Sequence, residues 1–125
     1  MARLQVLADS SIWIDHINDG DATLSALLKR RHVVLHPMII GEVALGSLAN
    51  REVLIEELEA LPQAKLASHA EVMAMIGWLK LFSCGIGYVD AHLLASARQL
   101  PNAQLWTRDK KLHTQAERLG VAFNP

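Results

Sequence analysis

The sequence predicts an α/β sandwich with a mostly parallel central sheet flanked by helices. Short apolar runs alternate along the chain with longer segments whose apolar residues recur at helical spacing. The 125 residues are 51% apolar, which suffices for one hydrophobic core and is too little for two independent ones. No Pro-, Gly- or Ser-rich linker, internal repeat or low-complexity tract divides the chain. We therefore expect a single domain over residues 1–125.

The first half of the chain is predicted to alternate two buried strands with four helices. The strands are expected over residues 4–8 and 33–35, and the helices from residue 12, from 21 to about 31, and over 38–48 and 51–61. Asp21 is suited to cap the second helix, and Pro37 suits the first turn of the third. Pro62 stops the fourth helix because proline cannot continue it.

The second half is predicted to hold three short strands and three helices. The strands are expected over residues 65–67, 104–107 and 121–123, and the helices over 72–82, 89–100 and 110–119. Gly85 and Gly87 separate the first two of these helices, and Gly120 ends the last. In such sheets, functional sites form at the carboxyl ends of the strands.

Composition excludes several classes of protein. The 12 basic and 13 acidic residues give a net charge of −1, so no global field draws the protein onto nucleic acid. Cys84 is the only cysteine, which excludes an internal disulfide and a cysteine-based zinc site. The chain has no apolar run of the roughly 18 residues that a membrane span needs and no signal-peptide pattern. We expect a soluble protein of a reducing, cytoplasmic compartment.

Three carboxylates stand alone in apolar stretches. Asp9, Glu42 and Asp90 each lack a charged neighbour nearby in sequence. The acids of residues 15–21 and 56–59 instead occur in groups that are typical of solvated faces. A carboxylate in apolar surroundings needs a partner, and these three are expected at one end of the sheet. We infer that they share a cation. The alternatives are that Asp9 and Asp90 cap helices and that Glu42 lies on a solvent-facing stripe.

The expected cation is a hard one. Oxygen ligands suit Mg²⁺ or Mn²⁺, and the six histidines are scattered along the chain without a zinc signature. Residues 107–111 follow the late strand and add a fourth acid, Asp109, a hydroxyl and three cations at the same edge. The alternative for Asp109 is that it caps the following helix and pairs with its basic neighbours.

Four segments, in this order and spacing, resemble the motifs of PIN-domain ribonucleases. They are residues 9–14, the helical Glu42, residues 87–97, and Thr107 to Asp109. The resemblance extends over essentially the whole chain. Within that family, the VapC-type toxins of bacterial toxin–antitoxin pairs are the most similar.

The resemblance implies a metal-dependent endoribonuclease. It implies that Asp9, Glu42, Asp90 and Asp109 bind Mg²⁺ or Mn²⁺, and that attack by water leaves a 5′-phosphate and a 3′-hydroxyl. Two polar residues match positions that orient these acids: Ser11 and Thr107. A toxin would also have an antitoxin protein that covers the acidic cleft. The apolar surplus leaves room for a homodimer face and an antitoxin groove, while the general expectation for the three tryptophans, Trp13, Trp78 and Trp106, is a place in the core. The best candidates for contacts to RNA phosphates are Arg108, Lys110 and Lys111, with residues 29–31 as a more distant possibility.

Two other function classes remain open on sequence alone. One is a PIN-fold module that binds RNA or protein without cleaving, although a decayed copy would be expected to have lost one of its acids. The other is a phosphoaspartate enzyme or receiver, since both place an Asp after the first strand. The dehalogenase-like pattern needs a second Asp two positions later, where this chain has Ser11.

Overall fold

The computed structural model describes residues 2–125 and confirms the predicted α/β class. Its three strands are β1 (Gln5–Ala8), β2 (Val33–Val34) and β3 (Ala103–Trp106). Its helices are α1 (Ser10–Asp19), α2 (Ala22–Lys29), α3 (Pro37–Ala44), α4 (Arg51–Ala60), α5 (His69–Trp78), α6 (Tyr88–Gln99) and α7 (Lys110–Arg118). This arrangement of a small parallel sheet among helices is compatible with a PIN-like sandwich. Between residues 2 and 125, no helix is both long and apolar enough to cross a membrane.

The sheet is parallel, and β1 is its central strand, in the order β2, β1, β3. Val6, Leu7 and Ala8 on β1 have no exposed surface, as expected for a parallel strand covered on both faces. The last paired positions of β1 and β3 are Ala8 and Trp106. The residues that follow these two strands therefore leave the sheet side by side.

Local sequence explains where the helices begin. Asp9, Asp21 and Asp109 are the N-caps of α1, α2 and α7, and each carboxylate accepts hydrogen bonds from backbone N–H groups of the first turn. The predicted cap at Asp21 is thus confirmed. His36 caps α3 through its side chain, and Pro37 occupies the first turn, where no backbone N–H is needed.

The core joins the sheet to the helices around it. Helix α6 packs on β3 and on α5, and α3 packs on α1 and α4. Seven consecutive residues of α6, from Ala91 to Ala97, are buried, so this helix lies in the centre of the molecule. Because α3 and α6 carry Glu42 and Asp90, the core fixes the helices from which these acids project.

Several details differ from the sequence prediction. The strand expected over residues 65–67 is wrong, because the parallel bridge to Leu35 is made by Gln63, directly after Pro62. The expected strand over 121–123 is reduced to one bridge, between Ala122 and Leu105. The third helix ends at residue 44 rather than 48. Trp13 and Trp106 are in the core as expected, whereas Trp78 is 76% exposed.

Candidate metal centre

The acidic site forms where β1 and β3 end. The Asp9 N–H donates to the Trp106 carbonyl across 2.9 Å, which continues the sheet pairing by one residue. This pairing brings Asp9 beside Thr107, and the Thr107 hydroxyl donates a hydrogen bond to Oδ2 of Asp9. Sheet register therefore explains why two residues so distant in sequence meet.

Asp9 is the buried member of the site, with 7% of its surface exposed. Its Oδ1 accepts hydrogen bonds from the Ser11 hydroxyl at 2.5 Å and from the Ile12 N–H at 3.3 Å, while Thr107 serves Oδ2. Both oxygens are thus held by donors, which compensates the burial of the charge. Asp9 acts as a helix cap and also faces the other acids. Ser11 and Thr107, which were predicted to orient the acids, are thus both hydrogen-bond donors to Asp9.

Asp90 is half-buried near the start of α6. Its Oδ2 accepts a hydrogen bond from the Gly87 N–H at 3.0 Å, so it supports the helix start from the third helical position rather than from the N-cap itself. Withdrawal from water raises the pKa of Asp90. The Gly87 hydrogen bond opposes this rise, and the negative charges of Asp109 and Asp9 add to it. The pKa of Asp90 therefore depends on the charges of two of the other acids.

Glu42 projects from α3 toward the same acids. Partial desolvation raises its pKa, the neighbouring Ser10 hydroxyl opposes the rise, and the charges of Asp90 and Asp9 add to it. Glu42 is exposed to solvent, so the alternative of a solvent-facing position is also correct. Its carboxylate nevertheless belongs to the shared electrostatic cluster.

Asp109 is exposed and caps α7. Its Oδ1 accepts hydrogen bonds from the N–H groups of Lys111 at 2.8 Å and Leu112 at 3.2 Å, and its own N–H donates to the Thr107 hydroxyl at 3.0 Å. The capping alternative is confirmed, and the ion pair with basic neighbours is not formed. Asp109 also contributes to the raised pKa of Asp90, so capping and membership of the acidic cluster coexist in this residue.

The four acids fit a hard cation by their chemistry. Within residues 2–125, none of them forms an ion pair with Lys, Arg or His, so no paired cationic side chain offsets their mutual repulsion. Their donors are all oxygens, as Mg²⁺ and Mn²⁺ prefer. No three Asp, Glu, His or Cys side chains in the described part of the chain stand close enough to form a closed chelate. The acids are near enough to influence one another's pKa values, and a cation would have to draw their side chains closer together.

The basic residues of the late loop have different surroundings. Arg108 forms ion pairs with Asp15 at 2.7 Å and Asp21 at 3.1 Å, so its guanidinium is engaged within the protein.

The two lysines of this segment are both accessible. Lys110 is exposed beside an open pocket of about 440 Å³. Lys111 is exposed as well, and its stem passes directly over Gly85. A Cβ at Gly85, where φ is +83°, would lie 2.6 Å from the Lys111 Cδ, so glycine makes room for this lysine.

Sequence reasoning missed four supporting residues. Ser10 lies beside Glu42, Gly87 donates its N–H to Asp90, and Asp15 and Asp21 hold Arg108. Asp15 has other acids near it in sequence, a pattern that is typical of solvated faces. A Gly three positions before an Asp at a helix start was an available signal for the Gly87 contact. No local pattern indicates the partners of Arg108.

Comparison with known proteins identifies the family. The chain matches no family model. It is 41% identical over 118 residues to "Ribonuclease VapC32" of Mycobacterium tuberculosis, in both strain CDC 1551 / Oshkosh and strain ATCC 25618 / H37Rv. The match covers 94% of this chain and 95% of each relative. With this identity, the PIN-like α/β fold and the ordered acidic motifs, the chain belongs to the VapC family of ribonucleases.

Proposed function

We propose that this protein is a Mg²⁺- or Mn²⁺-dependent endoribonuclease that acts as the toxin of a toxin–antitoxin pair. The observation that carries the proposal is the mutual electrostatic influence of four carboxylates from four separate segments, of which Asp9 follows β1 and Asp109 follows the end of β3. The pKa values of Asp90 and Glu42 are raised partly by the charges of their acidic neighbours. Acids held together without a protein cation are typical of a metal site.

The residues of the site have distinct tasks. Ser11 and Thr107 fix Asp9, so this carboxylate keeps one orientation when the others move. Asp90 is anchored through one oxygen by Gly87, which leaves Oδ1 available as a ligand. Asp109 is anchored through Oδ1, which leaves Oδ2 available. Glu42, which has the longer side chain, is the fourth proposed ligand and comes from α3.

A bound Mg²⁺ or Mn²⁺ supplies Lewis acidity that activates water and stabilises charge on phosphate oxygens. The four carboxylates would serve first as ligands of this ion, and a carboxylate among them would be a suitable acceptor for the proton of the attacking water. Lys110 and Lys111 are suited to contact the RNA backbone, because both are exposed and follow Asp109 directly. Since the net charge is only −1, RNA is held by these local contacts rather than by a global field.

The expected partners are an antitoxin and a second copy of the chain. Large apolar side chains remain exposed on the described surface, among them Leu45, Val53, Trp78 and Phe82. Exposed apolar area of this kind favours protein contacts. Membership of the VapC family supports an antitoxin partner, and we propose that this partner shields the acidic site.

The test is cleavage of a structured RNA with Mg²⁺, with Mn²⁺ and with EDTA. We expect cleavage with either metal, none in EDTA, and recovery when the metal is restored. Products should carry a 5′-phosphate and therefore be degraded by an exonuclease that requires this group. The control is Asp9→Asn, purified in the same way, which should be inactive.

Two outcomes would contradict the proposal. Cleavage that persists in EDTA, or that Asp9→Asn retains, would come from metal-independent chemistry or a contaminant. RNA binding without cleavage under every metal condition would instead favour the non-catalytic module.

A further inference from the structure

Arg108 joins the loop beside the acidic site to two helices. Its Nε donates to Oδ2 of Asp15 at 2.7 Å, and its Nη2 donates to Oδ2 of Asp21 at 3.1 Å. Asp15 belongs to α1, and Asp21 caps α2. One side chain thus ties the loop between β3 and α7 to two other elements. These partners stand 93 and 87 positions away in sequence.

The backbone of the same loop is attached to the site. The Arg108 N–H approaches the Ser11 hydroxyl at 3.5 Å, and the Asp109 N–H donates to the Thr107 hydroxyl at 3.0 Å. Thr107 in turn donates to Asp9. Thr107, Arg108 and Asp109 are therefore each held by a hydrogen bond. The Arg108 side chain adds two ion pairs directly next to Asp109.

We propose that Arg108 is a positioning residue: its two ion pairs hold the loop so that Asp109 faces the other acids. This inference rests on the proposed metal-dependent function and replaces the expectation that Arg108 contacts RNA. Arg108 is 46% exposed and Asp15 is 54% exposed, so this ion pair adds little to global stability, while Asp21, at 19%, is the more buried partner. The effect of the two pairs is expected on the placement of Asp109, which is itself exposed and whose carboxylate is restrained by the hydrogen bonds of its helix cap.

The charge of Arg108 and its positioning role predict opposite effects of its removal on metal binding. The inference is therefore testable. Removing the positive charge of Arg108 beside an acidic cluster should tighten binding of a divalent cation. Loss of a positioning residue should weaken it, by about 10-fold to 100-fold where outer contacts of metal ligands are removed. The direction of the change therefore separates the two effects.

The experiment compares Arg108→Ala with the double variant Asp15→Asn/Asp21→Asn, in which Asn still caps α2. Mn²⁺ affinity is measured by calorimetry, and amide hydrogen exchange at Arg108 and Asp109 is measured in EDTA. We expect about 10-fold weaker Mn²⁺ binding and faster exchange in both variants, with no further loss when all three changes are combined. The control is Arg118→Ala, which removes the same charge and two hydrogen bonds, to Gln115 and Leu79, from the far end of α7.

Three results would overturn the inference. The first is Mn²⁺ affinity in Arg108→Ala that equals or exceeds that of the wild type. The second is unchanged amide exchange at Asp109. This exchange is measured without metal, so it tests whether Arg108 holds the loop even if the wild type binds no Mn²⁺ and the proposed function fails. The third is opposite effects on RNA affinity in EDTA. Weaker binding in Arg108→Ala with tighter binding in the double variant would make Arg108 a direct phosphate contact.

Discussion

The Thr107 hydroxyl donates a hydrogen bond to the Asp9 carboxylate across 98 positions of sequence. Both residues are buried, with 7% of their surface exposed. The contact joins the ends of two neighbouring parallel strands and fixes the acid on which the rest of the site is built. It links sheet register directly to the geometry of the candidate metal centre.

Replacing Thr107 with Val removes this donor and keeps the shape of the side chain. Oδ2 of Asp9 then loses its hydrogen bond in a buried place, so we expect the free energy of unfolding to fall by about 2 kcal/mol. Thr107→Ser keeps the hydroxyl and should lose less than half as much. Chemical denaturation of the metal-free proteins measures both values. Equal stability of the wild type and Thr107→Val would remove Thr107 from the support of Asp9.

Neutralising Asp90 should stabilise the metal-free protein. Because the folded-state pKa of Asp90 is raised above its ordinary value of 3.8, ionisation opposes folding. The penalty is absent below pH 3.8, grows as pH rises through the folded-state pKa, and is constant above it. Asp90→Asn removes the penalty and retains an oxygen to accept from Gly87, so its melting temperature in EDTA should exceed that of the wild type at neutral pH and match it at pH values below 3.8.

Saturating Mn²⁺ should reverse the order of the two proteins. Mass action stabilises the wild type by about 2.7 kcal/mol at a hundred times the dissociation constant, and Asp90→Asn should gain much less. Thermal melts with EDTA and with Mn²⁺ provide the four values required. A variant that melts lower than the wild type in EDTA and gains as much from Mn²⁺ would show that Asp90 only supports the helix start.

The two exposed lysines should carry the salt dependence of RNA binding. Lys110→Ala with Lys111→Ala is expected to lower the slope of log affinity against log salt by about 0.7 to 0.9 for each phosphate that is no longer neutralised. Titrations at several salt concentrations measure the slope. The matched control, Lys29→Ala with Arg30→Ala, removes the same charge elsewhere. If the control flattens the slope instead, RNA crosses the end of α2 rather than the start of α7.

A buried histidine should make the fold sensitive to mild acid. His36 has no exposed surface, and burial followed by the charge of nearby His92 lowers its pKa to about 4. The unfolded chain takes up a proton near pH 6.5, so the stability due to neutral His36 is complete above 6.5 and is lost as pH falls toward 4.

His36→Asn tests this dependence, because Asn also accepts the hydrogen bond from the Met38 N–H and preserves the cap of α3. The smaller side chain leaves a cavity and lowers stability at every pH, so the slopes are compared rather than the absolute values. We expect a flatter loss of stability for the variant between pH 6.5 and 4. Parallel curves for the two proteins would exclude His36 as the titrating group.

Local patterns predicted much of the fold, because caps and breakers act over a few residues. Asp21 and Pro37 lie at helix starts as expected, and the alternation of apolar runs with helical segments predicted the parallel sheet. The failures concern long-range packing. The exposed face of Trp78 depends on which side of α5 meets α6, and the bridge of Gln63 to Leu35 depends on the path after Pro62.

The candidate site likewise contains residues that local sequence indicates and contacts that depend on long-range packing. Isolated carboxylates in apolar stretches indicated Asp9, Glu42 and Asp90 from sequence, because a charge without a local partner needs a distant one. The partners of Arg108 were not predictable, since ion pairs between exposed side chains leave no periodic or compositional trace. The same sequence pattern fitted both capping and ligand roles for Asp109, and the structure combines the cap with a place in the cluster.

The most direct test of the central claim is Mn²⁺ binding by calorimetry to the wild type and to Asp9→Asn, Glu42→Gln and Asp90→Asn, with RNA cleavage measured on the same samples. If the acids form one centre, each change should weaken Mn²⁺ binding by about tenfold or more and remove most cleavage, while circular dichroism stays unchanged. Asp109→Asn, exposed and equally able to cap α7, should lose less. Wild-type affinity and cleavage in two of the first three variants would contradict the account.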